Sequence, residues 1–272
     1  MTVRVGVIGC GGRMGTVVLQ ALAAAPEVTI AGAVEREGHP LSGRDLGSLT
    51  GGPASGALVG TDLQALLARA HVIVEFSSPE ASLAHAERCA EAGCAHVIGT
   101  TGLSDAQRGR LEELAARTAI VWSGNMSQGV NLLQALVEQA ARALGADFDI
   151  EIVEMHHRHK VDAPSGTALM LGEAAAKGRG VDLASVRESG RDGHTGARAP
   201  GAIGFAALRG GDVIGDHSVI FAGAGERIEF THKASDRIIY ARGAVRAALW
   251  AAKAPPGFYG MADVLGMTAP GR

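Results

Sequence analysis

Short apolar runs alternate with helix-spaced stretches through the first half of the chain. Residues 3–8 (Val-Arg-Val-Gly-Val-Ile) form the first run, and 16–25, rich in Ala and Leu, has the composition of a helix stopped by Pro26. The runs 28–34, 72–76, 96–98 and 119–122 repeat the strand pattern, apolar along most of their length as strands buried on both faces must be. Between them a capping box Thr61-Asp62-Leu63-Gln64 opens a short helix to Ala70. Ser78 opens another with Pro79 in its first turn, and the box Ser104-Asp105-Ala106-Gln107 opens a third that runs to about Arg117. Such alternation predicts a parallel, doubly wound sheet with ligand at the strand C-termini. Residues 38–60, rich in Gly, Ser and Pro, read as a mobile surface loop without candidate chemistry.

The pattern changes after a long amphipathic helix over 130–144. Strands are then predicted at 149–155, 204–208, 213–222 and 227–232, the last two joined at Gly223-Ala224-Gly225, with one helix over 168–177. Residues 188–201 read as a charged, glycine-rich flexible cover, and 235–252 as a helix that returns to the first domain. The fold class expected is α/β: an N-terminal Rossmann-like doubly wound parallel sheet plus a C-terminal α+β domain with a mostly antiparallel or mixed sheet. The expected division is 1–127 with 236–272 as a dinucleotide-binding domain, and 128–235 as a substrate-binding and oligomerisation domain.

Composition narrows the partners. A net charge of −3 over 272 residues gives no whole-molecule attraction to nucleic acid or to acidic membranes, so a small molecule is expected. The three cysteines, Cys10, Cys89 and Cys94, form no C-x-x-C pair, which points to a reducing, cytoplasmic setting without disulfides. The chain starts directly on a strand and has no apolar stretch long enough to span a bilayer, so neither export nor a membrane anchor is expected.

The first run ends in Gly9-Cys10-Gly11-Gly12-Arg13-Met14-Gly15, a strand, glycine turn and helix of the kind that opens a dinucleotide-binding unit. The spacing is G-x-x-G-x-x-G, because Met14 occupies the last position of G-x-G-x-x-G. Twenty residues past Gly15 stands Glu35-Arg36, where an adenosine ribose is read. Glu35 can accept from the ribose hydroxyls of NADH, and Arg36 can pair with the 2′-phosphate of NADPH, so the tip carries groups for both cofactors. Gly99-Thr100-Thr101-Gly102 and Ser123-Gly124-Asn125-Met126-Ser127 are two more rim segments. The first three of these have plainer alternatives: a turn without ligand at 9–15, a solvated ion pair at 35–36, and a tight connection at 99–102.

The densest group of titratable side chains is Glu154-Met155-His156-His157-Arg158-His159-Lys160-Val161-Asp162-Ala163-Pro164-Ser165-Gly166-Thr167-Ala168, in a strand-to-helix loop. Ser165 can cap the following helix, and Gly166 lets a ligand reach the first backbone N–H groups, which makes an anion site. A carboxylate there would feel Lys160 as a point charge, while His157 could donate to a second acidic group. On an extended chain His157 and His159 fall on one side and His156 on the other; with no cysteine near, no metal is expected.

With these motifs, and with Gly225-Glu226-Arg227 through His232-Lys233-Ala234-Ser235, the whole chain resembles the 4-hydroxy-tetrahydrodipicolinate reductase (dihydrodipicolinate reductase) family of bacterial and plant lysine biosynthesis. Cys10, where many members have alanine, is a mild departure. The resemblance implies NAD(P)H-dependent reduction of 4-hydroxy-tetrahydrodipicolinate to tetrahydrodipicolinate with loss of water. It implies His156 as proton donor and acceptor, Lys160 as proton donor, His157 as a substrate contact, and Gly166 with Thr167, beside Ser165, as the holder of a substrate carboxylate. Cofactor contacts would be Gly9, Cys10, Gly11, Gly12, Arg13, Met14, Glu35, Arg36, Gly99, Thr100, Thr101, Ser123, Gly124, Asn125 and Met126. The partner implied is a small dicarboxylate, and the assembly a homotetramer. Two other readings are another NAD(P)-dependent imine or amino-acid dehydrogenase and a cofactor-binding sensor without turnover.

Overall fold

A computed structural model describes residues 2–268; Met1 and residues 269–272, at the ends of the first expected domain, lie outside the described residues. The elements run β1 (Val3–Ile8), α1 (Arg13–Ala23), β2 (Val28–Val34), α2 (Leu46–Thr50), α3 (Leu63–Leu67), β3 (Val72–Glu75), α4 (Pro79–Ala92), β4 (Ala95–Ile98), α5 (Asp105–Leu114), β5 (Ala119–Trp122) and α6 (Gln128–Leu144). They continue with β6 (Asp149–His156), α7 (Gly166–Arg179), α8 (Leu183–Val186), β7 (Arg187–Ser189), β8 (Ile203–Arg209), β9 (Gly215–Gly223) and β10 (Glu226–Ala234). The chain closes with α9 (Ile238–Ala251), β11 (Gly257–Tyr259) and α10 (Met261–Val264). Two compact units result: Met1–Gln128 with Ile238–Arg272, and Gly129–Arg237.

The first unit holds a six-stranded sheet in the order β11-β5-β4-β3-β1-β2, parallel throughout. Its strands are apolar because both faces are covered. On one side Val5 and Val7 pack with Val18, Leu19 and Leu22 of α1 and with Ala244, Ala247 and Ala248 of α9. On the other, Ile98 and Ile120 meet Ala86 and Ala90 of α4 and Leu111 of α5.

The second unit holds a mixed sheet in the order β10-β9-β6-β8-β7, with β6 antiparallel to β9 and parallel to β8. Burial alternates strictly along β6 and over most of β9, as it does when one face of a sheet is covered. That face carries Ile150, Ile152, Val219 and Phe221 against Val137 and Ala141 of α6 and Leu171 and Ala175 of α7.

Several boundaries differ from expectation for local reasons. Helix α1 starts at Arg13 rather than 16, because Gly12 serves as its N-cap and the glycine turn leads straight into it. Helix α3 is capped by Asp62, whose carboxylate accepts the Ala65 N–H at 3.1 Å, not by a box from Thr61, and it ends at Leu67. The 38–60 loop contains α2, capped by Asp45, whose carboxylate also accepts N–H groups from Ser55 (2.9 Å) and Gly56 (2.7 Å). The expected cover at 188–201 begins in β7 and is fastened: Arg191 pairs with Glu151 (2.9 Å) and Glu188 (2.8 Å), and Arg198 with Asp149 (2.7 Å) and Glu151 (2.8 Å). Strand β11, three residues long and parallel to β5, was too short to carry a periodic signal.

Candidate active site

The carboxyl ends of β1, β2, β4 and β5 carry the nucleotide candidates. Gly9, at φ +72°, donates its N–H to Val34 O (3.0 Å), and Gly12 donates to Gly9 O (3.1 Å), which closes the turn. A Cβ on Gly15 would lie 2.0 Å from Gly9 O, so only glycine lets α1 begin hard against the turn. Gly12 supplies no side-chain acceptor to the first turn of α1. The amides there fit an anion such as a pyrophosphate.

Glu35 is drawn into this turn. Its Oε1 accepts the Gly11 N–H at 2.7 Å and its Oε2 accepts the Arg36 N–H at 3.2 Å, while Arg13 and Arg36 are exposed. Cys10 is buried, and burial beside Glu35 pushes its thiol up to about 11, so it stays protonated. Thr100 turns inward: its hydroxyl accepts from Ser77 N–H (2.9 Å) and from Ser82 Oγ (2.8 Å), and its carbonyl accepts from Trp122 Nε1 (3.0 Å). Thr101 beside it is exposed. Ser123 Oγ donates to Asn125 O (2.8 Å), and Met126 is buried in the core of this unit.

Behind Thr100 lies a charge that the sequence pattern did not single out. Glu75, fully buried at the end of β3, sits 2.6 Å from His85 Nδ1 and accepts Ser77 Oγ at 2.7 Å. Burial opposes its charge, but the His85 hydrogen bond and nearby His96 together outweigh it and hold the carboxyl below the ordinary range. His96, also fully buried, is pushed down to about 4 by burial.

In the second unit β6 delivers His156 at its last position, and the loop after it turns back on itself. Lys160 N–H donates to His157 O (3.1 Å), Arg158 N–H to Gly211 O (3.2 Å), and the Ala163–Pro164 peptide is cis. Ser165 then caps α7, its Oγ accepting the Ala168 N–H at 3.2 Å, so Gly166 and Thr167 form the helix's opening turn. His156 is buried, with Nδ1 2.6 Å from Glu154 Oε2. Arg209 grips both oxygens of Glu154 at 2.8 Å each, and the Ser165 N–H adds a fourth donor at 3.1 Å. Burial of Glu154 works against its charge, yet the hydrogen bonds from Arg209 and His156 prevail and keep its carboxyl below the ordinary range.

His217 meets both Ser165 and His156, its Nε2 3.0 Å from Ser165 Oγ and its ring edge-on to His156 at 5.1 Å. Burial, helped by the His156 charge, pushes it down to about 4, so it is neutral. Lys160 donates to Asp162 Oδ1 at 2.8 Å. His157 borders an open cavity of about 700 Å³ that His159, Asp212, Ile214 and Arg237 also line. Desolvation and the Arg237 cation hold the His157 imidazole below its ordinary value.

The structure thus brings His156, Ser165 and the opening turn of α7 into one hydrogen-bonded group, with Lys160 and His157 on the loop between them. Glu154, Arg209, His217 and Arg237 had no assigned role in the sequence pattern. Sheet register explains the first three: His156 stands opposite Arg209 on β8, and Glu154 opposite His217 on β9, pairings that chain spacing does not reveal. Among the described residues no group of three or more His, Cys, Asp or Glu side chains could hold a metal ion, and no helix is long and apolar enough to cross a membrane.

Comparison with known proteins gives one answer along the whole chain. Residues 3–126 match the dihydrodipicolinate reductase N-terminus family and 129–265 the dihydrodipicolinate reductase C-terminus family. A 4-hydroxy-tetrahydrodipicolinate reductase of Ruegeria sp. (strain TM1040) is 53% identical over 269 residues, covering 98% of this chain and 100% of that protein. One from Methylocella silvestris is 55% identical over 264 residues, with 97% of each chain covered. Among solved structures, a dipicolinate-bound dihydrodipicolinate reductase from Paenisporosarcina sp. TG-14 superposes with a TM-score of 0.75 at 25% identity, over 96% of this chain and 98% of that one. A DAP dehydrogenase of C. glutamicum in complex with DAP, at 14% identity and a TM-score of 0.56 over 100% and 97% of the two chains, shares the fold alone. From two family matches that together span nearly every residue, and relatives identical at more than half their positions, this chain belongs to the dihydrodipicolinate reductase family.

Proposed function

We propose that this chain reduces 4-hydroxy-tetrahydrodipicolinate to tetrahydrodipicolinate, with loss of water, in lysine and diaminopimelate synthesis, and that it accepts both NADH and NADPH. The observation that carries this reading is the group at the end of β6, where the carboxylate of Glu154 joins His156 Nδ1 to the Ser165 N–H, and Ser165 Oγ caps the opening turn of α7. The pyridine nucleotide supplies the hydride when bound. Gly9 to Met14 would hold its pyrophosphate, Glu35 and Arg36 its adenosine ribose, and Gly99 to Thr101 with Ser123 to Met126 would line the rim. Thr100 and Met126 would take part through backbone or packing, since their side chains face inward.

On the substrate side, Ser165, Gly166 and Thr167 hold one carboxylate at the N-terminus of α7, and His157 contacts the substrate beside the cavity. Lys160 brings a positive charge toward the electron density left by hydride addition and gives a proton, and His156 gives or takes the other. The first unit thereby serves as the dinucleotide-binding domain and the second as the substrate and oligomerisation domain. A homotetramer is proposed because β10 is an edge strand and the same sheet exposes Leu208 and Ile228. Light scattering at micromolar concentration should give four times the chain mass; a monomer refutes it. Three buried free cysteines support a cytoplasmic setting.

The activity is tested by following NADPH and NADH absorbance with substrate made in situ from pyruvate and aspartate semialdehyde. Oxidation that pyridine-2,6-dicarboxylate inhibits competitively is expected. Its absence in folded protein that binds nucleotide overturns the reading.

A further inference from the structure

We propose that Glu154 and Arg209 are a positioning pair that fixes the tautomer of His156 and sets the pH range over which it handles a proton. The inference rests on the functional reading above, since it gives His156 a reaction to serve. Glu154 accepts four hydrogen bonds, two from Arg209, one from the Ser165 N–H and one from His156 Nδ1, which fills the positions an ionised carboxylate offers. Such a carboxylate has no proton of its own, so Nδ1 must be the donor in the 2.6 Å contact. Nε2 is then the nitrogen left to exchange a proton with substrate. Gly215 keeps room beside it, because a Cβ there would come within 3.0 Å of Nε2.

The groups that face His156 are Glu154 on its own strand, Arg209 from β8, His217 from β9, and His157 and Lys160 from the following loop. His217 is neutral, the Asp162 carboxylate is paired with Lys160 at 2.8 Å, and Glu154 is the anion bonded to His156, shared with the Arg209 cation. Removing the anion or its second cation must therefore act on His156 in opposite senses. A Glu154→Gln side chain can still accept from Nδ1, but it no longer balances a charged imidazole. An Arg209→Gln change leaves the Glu154 charge to His156 as its one cationic partner, with the Ser165 N–H still donating.

The experiment is the pH profile of kcat/KM for the whole enzyme and its variants, with nucleotide affinity measured alongside to show that each protein is folded. The limb governed by the His156 proton should move about one unit to lower pH in Glu154→Gln and about one unit to higher pH in Arg209→Gln. Arg209→Lys, which keeps the cation, should return it toward the wild-type position. Shifts of one sign in both variants, or active variants with an unmoved limb, overturn the inference. A role in folding alone gives no such opposition. Should a variant fail to fold, long-range 15N–1H correlation on the wild-type protein decides: protonated Nδ1 on His156 is expected, and a neutral ring with its proton on Nε2 and bare Nδ1 overturns it. Absent turnover in the wild-type enzyme speaks against the reaction itself, whereas the NMR result tests the positioning pair without turnover.

Discussion

Acidifying the protein from about pH 7.5 to 4.5 should weaken both units, through one histidine in each that is buried without charge. His96 in the first unit and His217 in the second both sit at about 4 in the fold, against 6.5 for the free side chain. The unfolded chain binds those protons first, so the stabilisation is complete above about 6.5, falls as the pH drops through the interval, and reaches its full loss near 4. An interval of 6.5 − 4 = 2.5 units, at about 1.4 kcal/mol per unit, makes the full loss roughly 3–4 kcal/mol for each histidine. That is a large share of the ~5–15 kcal/mol that holds a typical domain together. Glu75 and Glu154, held below the ordinary carboxylate range, add a second window that opens only as the pH falls under about 4.5. Urea unfolding separates the units, because the two tryptophans and two tyrosines, Trp122, Trp250, Tyr240 and Tyr259, all belong to the first. Fluorescence follows His96, and far-UV circular dichroism follows both. His96→Gln should flatten the fluorescence-detected dependence between pH 6.5 and 4.5 and leave the dichroism of the second unit sloping. A wild-type protein with equal fluorescence-detected stability at both ends of that range would falsify the assignment of His96 as a neutral buried group.

Three further outcomes are expected. Lys160→Ala should lower kcat/KM by about 100-fold or more while NADH affinity stays within about twofold, since the residue is assigned to chemistry and substrate; steady-state kinetics and fluorescence titration check both halves. Gly15→Ala, whose Cβ would press to 2.0 Å from Gly9 O, should lose ~1–3 kcal/mol of stability and most nucleotide affinity, and a variant indistinguishable from wild type in urea and NADH titrations contradicts the tight turn. NADH and NADPH should be used within about tenfold of each other, under ~1.4 kcal/mol of discrimination. Arg36→Ala should weaken NADPH selectively, most at low salt; equal losses for both cofactors would show that the ribose is read elsewhere.

How far the fold could be read from the chain depended on whether a signal was local. The glycine turn, the five longer apolar strands of the first unit and the Ser165 cap each announce themselves within a few residues, and each is present in the structure. Strand β11 escaped because Gly-Phe-Tyr has no period to recognise, and it exists only because β5 offers an edge to pair with. The electrostatics escaped for a different reason. Glu154 and Arg209 lie 55 positions apart and Ser165 and His217 lie 52 apart, so their meeting is a product of strand register. Asp45, in a segment that looked like plain loop, organises that loop through hydrogen bonds to backbone amides up to 11 residues away.

The first unit is written in two pieces, and that sets a timetable for its making. The second unit is one continuous stretch, Gly129–Arg237, and has every strand of its sheet once that stretch has been synthesised. The first unit's earliest strands must wait. Until α9 and β11 emerge, β5 keeps an open edge, and the apolar surface of α1 that α9 covers stays wet. Gly243 shows how close the late arrival must come: a Cβ there would fall 1.7 Å from Met126 O. During synthesis the nucleotide fold is therefore the part begun first and finished last.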